Sequence, residues 1–513
     1  MKRAIRFYGI YAIVLMLGFS ARAQQIQEIE ALKAYMQEAR EKWNVPALSV
    51  GIIYNDSIVM LEGFGELEVG KGIKPDGNTL FAVASNTKAF TATALAMLVD
   101  EGKLKWDDKV IDYLPWFRMY DPYITANMTV RDLLTHRSGL ATFSGDLIWY
   151  GSNYSPEEII KRAAYLKPVY GFRSNYGYSN IMYLAAGEII KAISGEPWAS
   201  FVTSRILRPL DMSRTLTSTN QLANVTNVAQ PHNDAGENVI AINYLNWDNI
   251  APAGALISSA SDMLKWLNFQ LNQGKVGDTT LVRKATLHEM LKPQTIMNVS
   301  PFSEKVWPST HFKAYGLGWS LMDYHGKKVI SHSGGYDGMI SFSAFVPEEK
   351  LGFVILTNKN SSLYYPLSFK ILDIFLSNDT TDWSTKFYNI IAYNDSIDKK
   401  EKDEEKAKRI KGTSPTLPLE AYTGTYTSEA YGDVVIELKN KELNLRMVPT
   451  PIFHSPLKHW QYNTFEIKFH DVPSLGGGKA AFILDMDSKV HQLLIDVPNP
   501  DFDFTEFNFI KTK

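Results

Sequence analysis

Ser85 and Lys88 stand three residues apart in "VASNTKAF" (82–89), with an apolar helical run behind them. On a helix, positions i and i+3 share a face, so the ammonium can approach the hydroxyl. The free N–H groups and positive dipole end at a helix start disfavour a nearby cation. Partial burial would lower the lysine pKa further, toward that of a usable base. An isolated Ser-x-x-Lys is more often a helix cap followed by a surface lysine, so the pair needs company, and two further stretches supply it. In "SNYGYSNIMYLAAGEII", Tyr178, Ser179 and Asn180 lie in a loop or at the cap of the following helix. A tyrosine there can shuttle a proton and an asparagine can orient an amide carbonyl. In "ISHSGGYDGMISF", His332-Ser333-Gly334-Gly335 sits at a strand end, where glycines let a substrate or another backbone come close. An N–H on such a strand, paired with that of Ser85, would make an oxyanion hole.

The elements that must hold these residues follow from apolar periodicity. Residues 26 to 43 read as an amphipathic helix, and Ala47 to Tyr54 with Ser57 to Gly63 as a hairpin around Asn55-Asp56. Ser85 to about Glu101 is helical, with Gly102 as its stop. The chain to about residue 300 is helical pieces broken by Gly, Pro and Asn; strands return after Tyr315, and Leu363 to Leu376 is again a helix. The reading is α/β over residues 24–377: an antiparallel sheet built from both ends, flanked by the terminal helices, with an all-helical insertion. Residues 378–414, including "DKKEKDEEKAKR", read as a charged linker or solvated helix. Short strands with tight turns over 415–513 fit a small all-β domain, a barrel or sandwich.

Composition narrows the chemistry. Of 513 residues, 45% are hydrophobic and 21% charged, with a net charge of -2, so nothing points to nucleic acid as a partner. The absence of cysteine excludes a thiol nucleophile and disulfides; the ten histidines are scattered with no HExxH, and neither metal nor cofactor is implied. The opening "MKRAIRFYGIYAIVLMLGFSARAQ" has basic residues, an apolar run from Phe7 to Phe19, then Ala21-Arg22-Ala23, the layout of a signal peptide over 1–23. The run is short of the roughly 20 residues a membrane span needs; an uncleaved anchor is the alternative. Export to the periplasm or medium is expected, with no membrane span after removal of the leader.

The three motifs in this order, Ser-x-x-Lys, Tyr-x-Asn and His-x-Gly, resemble the serine β-lactamase and penicillin-binding-protein superfamily. The likeness is to its class C-like branch of D-alanyl-D-alanine carboxypeptidases, D-aminopeptidases and esterases. "MTVRDLLTHRSGL" and "PAGALISSASDMLKW" look like the same branch, and the tail is similar to a lipocalin-like module. The resemblance implies that Ser85 forms an acyl-enzyme. Lys88 and Tyr178 would share the proton transfers, Asn180 would hold the substrate amide, and Ser333 would line the substrate site. Ser85 and Gly335 would donate their N–H groups to the oxyanion. His332 stands where many relatives have a lysine that docks a carboxylate; a histidine is mostly neutral at pH 7 and would gain that charge only as pH falls. No GxSxG or Ser-Asp-Asn occurs, and His136 is read as shaping the site, not as a triad base.

The expected function is an exported serine hydrolase acting on D-amino-acid peptides, small esters or β-lactams. The alternatives are a catalytically weak protein that binds peptidoglycan fragments or β-lactams, and a scaffold whose tail binds a lipid or partner. Oligomeric state is left open.

Overall fold

A computed structural model describes residues 26–513 apart from Glu237, Asn378 and Pro473. The leader read over 1–23 lies outside the described residues. Among these, eight strands form one antiparallel sheet, in the order Ser57–Gly65, Ala47–Tyr54, Leu351–Thr357, Met339–Val346, Lys327–Tyr336, Ser320–Tyr324, Lys313–Tyr315 and Thr295–Met297. The first hairpin therefore pairs with the last strand, and both ends of the unit build the sheet. Asn55 and Asp56 make its turn at φ 48° and 63°, a left-handed backbone that these two residue types tolerate.

The inner strands are apolar on both sides because both faces are covered. Helix 26–42 and helix Tyr364–Leu376 bury Leu32, Met36, Leu367 and Ile371 in one cluster with Val50, Ile52, Phe353 and Ile355. On the opposite face helix Ala260–Leu271 comes so close that a Cβ on Gly51 would lie 2.8 Å from Leu264 Cδ1. Next to it runs Thr87–Asp100, buried at every position from Thr87 to Leu98, with Phe90 stacked on Trp266 at 3.9 Å. It is a core helix, and Gly102 ends it at φ 72°.

Residues Gly424 to Lys511 wind into a closed eight-stranded barrel. Eight strands leave an interior about wide enough for side chains; the buried strand residues Tyr426, Phe465 and Phe482 pack ring against ring, while Phe453, Phe469, Phe504 and Phe507 form a second aromatic cluster from the connections. The charged stretch before the barrel is mostly a helix, Trp383–Ala407. Trp383 and Phe387 anchor its start beneath the sheet, where Trp43 Nε1 donates to Ser384 Oγ at 3.0 Å. At the far end Lys479 pairs with Glu405, and the Arg409 guanidinium lies 4.5 Å from the Trp460 ring centroid. The barrel also docks directly on the helical region: Asn153 N–H donates to Pro449 O at 2.8 Å, and Arg162 donates to the carbonyls of Glu429 and Ala430. Among the described residues no helix is long and apolar enough to cross a membrane.

Candidate active site

Ser85 is the centre of a single 3-10 turn, Ala84–Asn86, that opens the buried helix. Ala84 has φ 44°, a strained backbone for a residue with a Cβ, held only when its surroundings enforce it. Asn86 does part of that, donating to Ser341 Oγ at 2.8 Å and accepting from Ser343 Oγ at 2.5 Å. Strand Lys327–Tyr336 closes from the other side. A Cβ at Gly334 would sit 2.2 Å from Val83 O and 2.9 Å from Ser85 N, so the contact requires glycine. Pairing of this strand with Ser320–Tyr324 stops at Ser331, leaving one edge of residues 332–336 unpaired by that neighbour. The tight turn at Asp337-Gly338 makes Tyr336 and Met339 a hydrogen-bonded pair. Alternation along the ladder then turns the N–H groups of Ser333 and Gly335 toward that edge.

Lys88 is 0% exposed, which decides against the surface-lysine reading of the motif. Its Nζ lies 3.0 Å from Ser85 Oγ, 2.7 Å from Asn180 Oδ1 and 2.8 Å from Ala253 O. Burial pushes the amine down to about 7, with the Asp146 charge opposing. A neutral amine has two N–H bonds and one lone pair. Asn180 and Ala253 accept the two, which leaves the lone pair for the Ser85 hydroxyl.

No motif marks Asp146, yet it completes this chain. It accepts from Asn180 Nδ2 at 2.7 Å and from Trp149 Nε1 at 2.9 Å. Burial raises its carboxyl to about 7 against those hydrogen bonds and the Lys88 charge. Asn180 is thereby oriented, oxygen to Lys88 and nitrogen to Asp146.

Tyr178 hydrogen-bonds Ser85, and burial holds its phenol well above the usual range. Its ring lies 4.8 Å from Lys88 Nζ and 4.2 Å from the His136 ring. His136, at φ 54°, accepts the Ser179 N–H on Nδ1 at 3.0 Å and so pins the loop that carries Tyr178 and Asn180. Burial, with the Lys88 charge, keeps this imidazole neutral.

His332 is 4% exposed and both ring nitrogens are engaged. Nδ1–H donates to Ser333 O at 2.6 Å and Nε2 accepts from Tyr315 Oη at 2.8 Å. Burial lowers its pKa to about 3, so falling pH does not charge it in the range where a histidine on the surface would titrate. This differs from the expectation of an acid-induced cation, because the ring lies inside the wall and is already paired.

A cavity of about 530 Å³ opens over Ser85. Tyr178, Asn180, His332, Ser333 and Gly335 line it with Ser85, and Lys88 lies behind the serine through its 3.0 Å contact. Part of its wall comes from the barrel, as Ser474, Leu475 and residues Asn499 to Phe502, a contribution no local motif announces.

The profile of the beta-lactamase family matches residues 32–366, and the chain belongs to that family, whose members here share a hydrolase fold. A second profile, of a domain of unknown function (DUF3471), matches 408–511, the region of the barrel. The chain is 28% identical over 434 residues to the Unguisins hydrolase ungD of Aspergillus violaceofuscus, covering 78% of this chain and 75% of that one. Its fold matches the octameric penicillin-binding protein homologue of Pyrococcus abyssi with TM-score 0.61 and 20% identity, over 94% of this chain and 100% of that one. The D-amino acid amidase of Ochrobactrum anthropi matches with TM-score 0.55 and 22% identity, over 71% and 99%.

Proposed function

We propose that the protein is an exported serine hydrolase that cleaves amide or ester bonds through an acyl-enzyme on Ser85. The observation that carries this reading is the surroundings of Lys88: a buried amine with a pKa near 7, whose acceptors leave one lone pair for Ser85 Oγ–H. In the first step Lys88 takes the Ser85 proton as Oγ adds to the acyl carbon. The oxyanion is met by the N–H groups of Ser85 and Gly335. Tyr178 stays protonated where Lys88 does not, so it relays a proton between Lys88 and the leaving group and is not the resting base. Water then attacks the ester by the reverse route. Asn180 holds Lys88 in register and offers its remaining N–H to the substrate amide.

D-amino-acid peptides and amides, small esters and β-lactams are the substrate classes this chemistry serves, in keeping with the hydrolase and amidase names among the similar proteins. A protein that only binds such molecules has no use for a lysine held near neutrality against its serine. Incubation with a fluorophosphonate should add mass to the peptide bearing Ser85 and to no other, and Ser85→Ala should abolish it. Labelling elsewhere defeats the assignment. Export is tested by sequencing the N-terminus of protein from its host, which should begin near Gln24.

A further inference from the structure

Asp146 of the hydrolase unit and Glu506 of the barrel stand close enough for their charges to interact. Asp146 is 2% exposed and begins the short helix Asp146–Trp149. Glu506, at the end of the 3-10 turn Phe504–Glu506, reaches the two residues just ahead of it. Its carboxylate accepts from Ser144 Oγ at 2.5 Å, from Gly145 N–H at 2.9 Å and from the Tyr431 hydroxyl. Ser144 and Tyr431 are both buried, so Glu506 satisfies donors that water does not reach.

The segment that Glu506 secures needs outside support. Phe143 has φ 65° and Gly145 φ 77°, and the first is a strained backbone for a residue with a Cβ. A Cβ at Gly145 would lie 2.4 Å from Leu166 Cδ1, so the turn is packed tightly as well. At one end of it, Phe143 N–H donates to Tyr178 O at 2.8 Å. At the other, Asp146 accepts from Asn180 Nδ2 at 2.7 Å, while Asn180 Oδ1 lies 2.7 Å from Lys88 Nζ. Glu506 is thus joined to Lys88 by an unbroken run through Gly145, Asp146 and Asn180.

Charge follows the same path. Burial raises the Asp146 carboxyl, and the Glu506 charge adds to that, because like charges disfavour a second ionised group. At Lys88, burial lowers the amine and the Asp146 charge opposes it. The other titratable groups around Lys88 are neutral. Burial holds the phenols of Tyr178 and Tyr183, whose rings lie 4.8 and 5.4 Å away, above their ordinary range. It holds the imidazoles of His136 and His332 below theirs. An ionised Asp146 draws a proton onto Lys88, and a protonated one leaves the amine its lone pair. By disfavouring the ionised form, Glu506 favours the free amine that attack by Ser85 requires.

We propose that Glu506 is a positioning residue for acyl transfer: from the barrel it fixes the turn that carries Asp146, and through Asp146 and Asn180 it keeps Lys88 a free base. Docking of the barrel then sets the competence of a base that the barrel does not touch. The inference rests on the acyl-enzyme reading above.

The test is the pH dependence of kcat/KM for an uncharged p-nitrophenyl ester in Glu506→Gln and Glu506→Ala. Both remove the charge, and the first keeps the shape of the side chain. The midpoint of the rise should move to higher pH by about half a unit, roughly a threefold loss of rate below it. That direction is opposite to the one expected for Asp146→Asn, and in an Asp146→Asn background Glu506→Gln should move the midpoint no further. Fluorophosphonate labelling of Ser85 reports that each variant is assembled. An unchanged or lowered midpoint in an assembled variant overturns the proposal, since a purely structural contact would alter rate and stability alone. An equal upward shift in the Asp146→Asn background also overturns it, because Glu506 would then act without Asp146. Where neither variant assembles, the wild type decides: carbon NMR should find the Asp146 carboxyl titrating near 7, and a carboxyl that titrates at about 4, the ordinary range, defeats the proposal. Failure of the wild type to label at Ser85 overturns the acyl-enzyme reading and this inference with it.

Discussion

Glu506 of the barrel accepts the backbone N–H of Gly145 at 2.9 Å, one residue ahead of Asp146. The same carboxylate accepts from Ser144 Oγ at 2.5 Å and from the Tyr431 hydroxyl. Hydrogen bonds to a charged group are each worth about 1.5–3 kcal/mol when deleted. Glu506→Ala should therefore lower stability by roughly 2 kcal/mol or more, read as a lower urea midpoint. The Glu506 charge also helps raise the Asp146 carboxyl, so carbon NMR of that carboxyl in the variant should show it titrating at lower pH.

Hydrolysis of an uncharged ester should rise with pH as Lys88 loses its proton near 7. Asp146 supplies the charge that opposes this loss, so Asp146→Asn should move the rise to lower pH. If Asp146 serves packing alone, the midpoint will stay where it is while the rate drops.

Stability should respond to the same two groups with opposite signs. Lys88 falls from 10.5 to about 7 on folding, so the unfolded chain binds more protons between those values and stability grows as pH rises through that window. Asp146 is raised from 3.8 to about 7. There the folded chain binds more protons, so its contribution is whole below 3.8 and is lost as pH rises through 7. Denaturation series on Lys88→Met should lose the first trend and on Asp146→Asn the second.

The two neighbouring glycines should separate cleanly. Gly334→Ala forces a Cβ to 2.2 Å from a backbone carbonyl beside Ser85. The strand or the nucleophile turn must then shift, at a cost of about 1–3 kcal/mol, and Ser85 labelling should slow by about a hundredfold or more. Gly335→Ala meets only Ile340 Cδ1, at 3.7 Å, so its stability should stay within about 0.5 kcal/mol of wild type.

Tyr315→Phe removes the donor to His332 Nε2. The lone pair left behind is buried, and stability should fall by about 1–3 kcal/mol. Nitrogen NMR should still find the proton on Nδ1, because the Ser333 carbonyl continues to accept it.

Much of this molecule was legible along the chain, where the deciding contacts are short in sequence. Asn55-Asp56 marks a turn because those residues accept positive φ, and Gly102 ends a helix for the same reason. Ser85 and Lys88 are close because three residues of helix bring them so, and the sheet follows from strand periodicity. The charged stretch announced a helix or linker, but not that Trp383 and Arg409 tie its two ends to different parts of the protein.

Tertiary structure decided the rest. Whether Lys88 is a base depends on its burial and on Asp146, which meets Asn180 from 34 residues away. Whether His332 can be a cation depends on its burial and on the nearby Lys88 charge, and part of the wall of Ser85's cavity, Ser474 to Leu475 and Asn499 to Phe502, is there only because the barrel docks beside it. Desolvation and cavity shape are properties of segments that meet in space. A spacing motif names the reacting atoms, but the pKa of an amine and the charge of a wall are set by neighbours that no local pattern encodes.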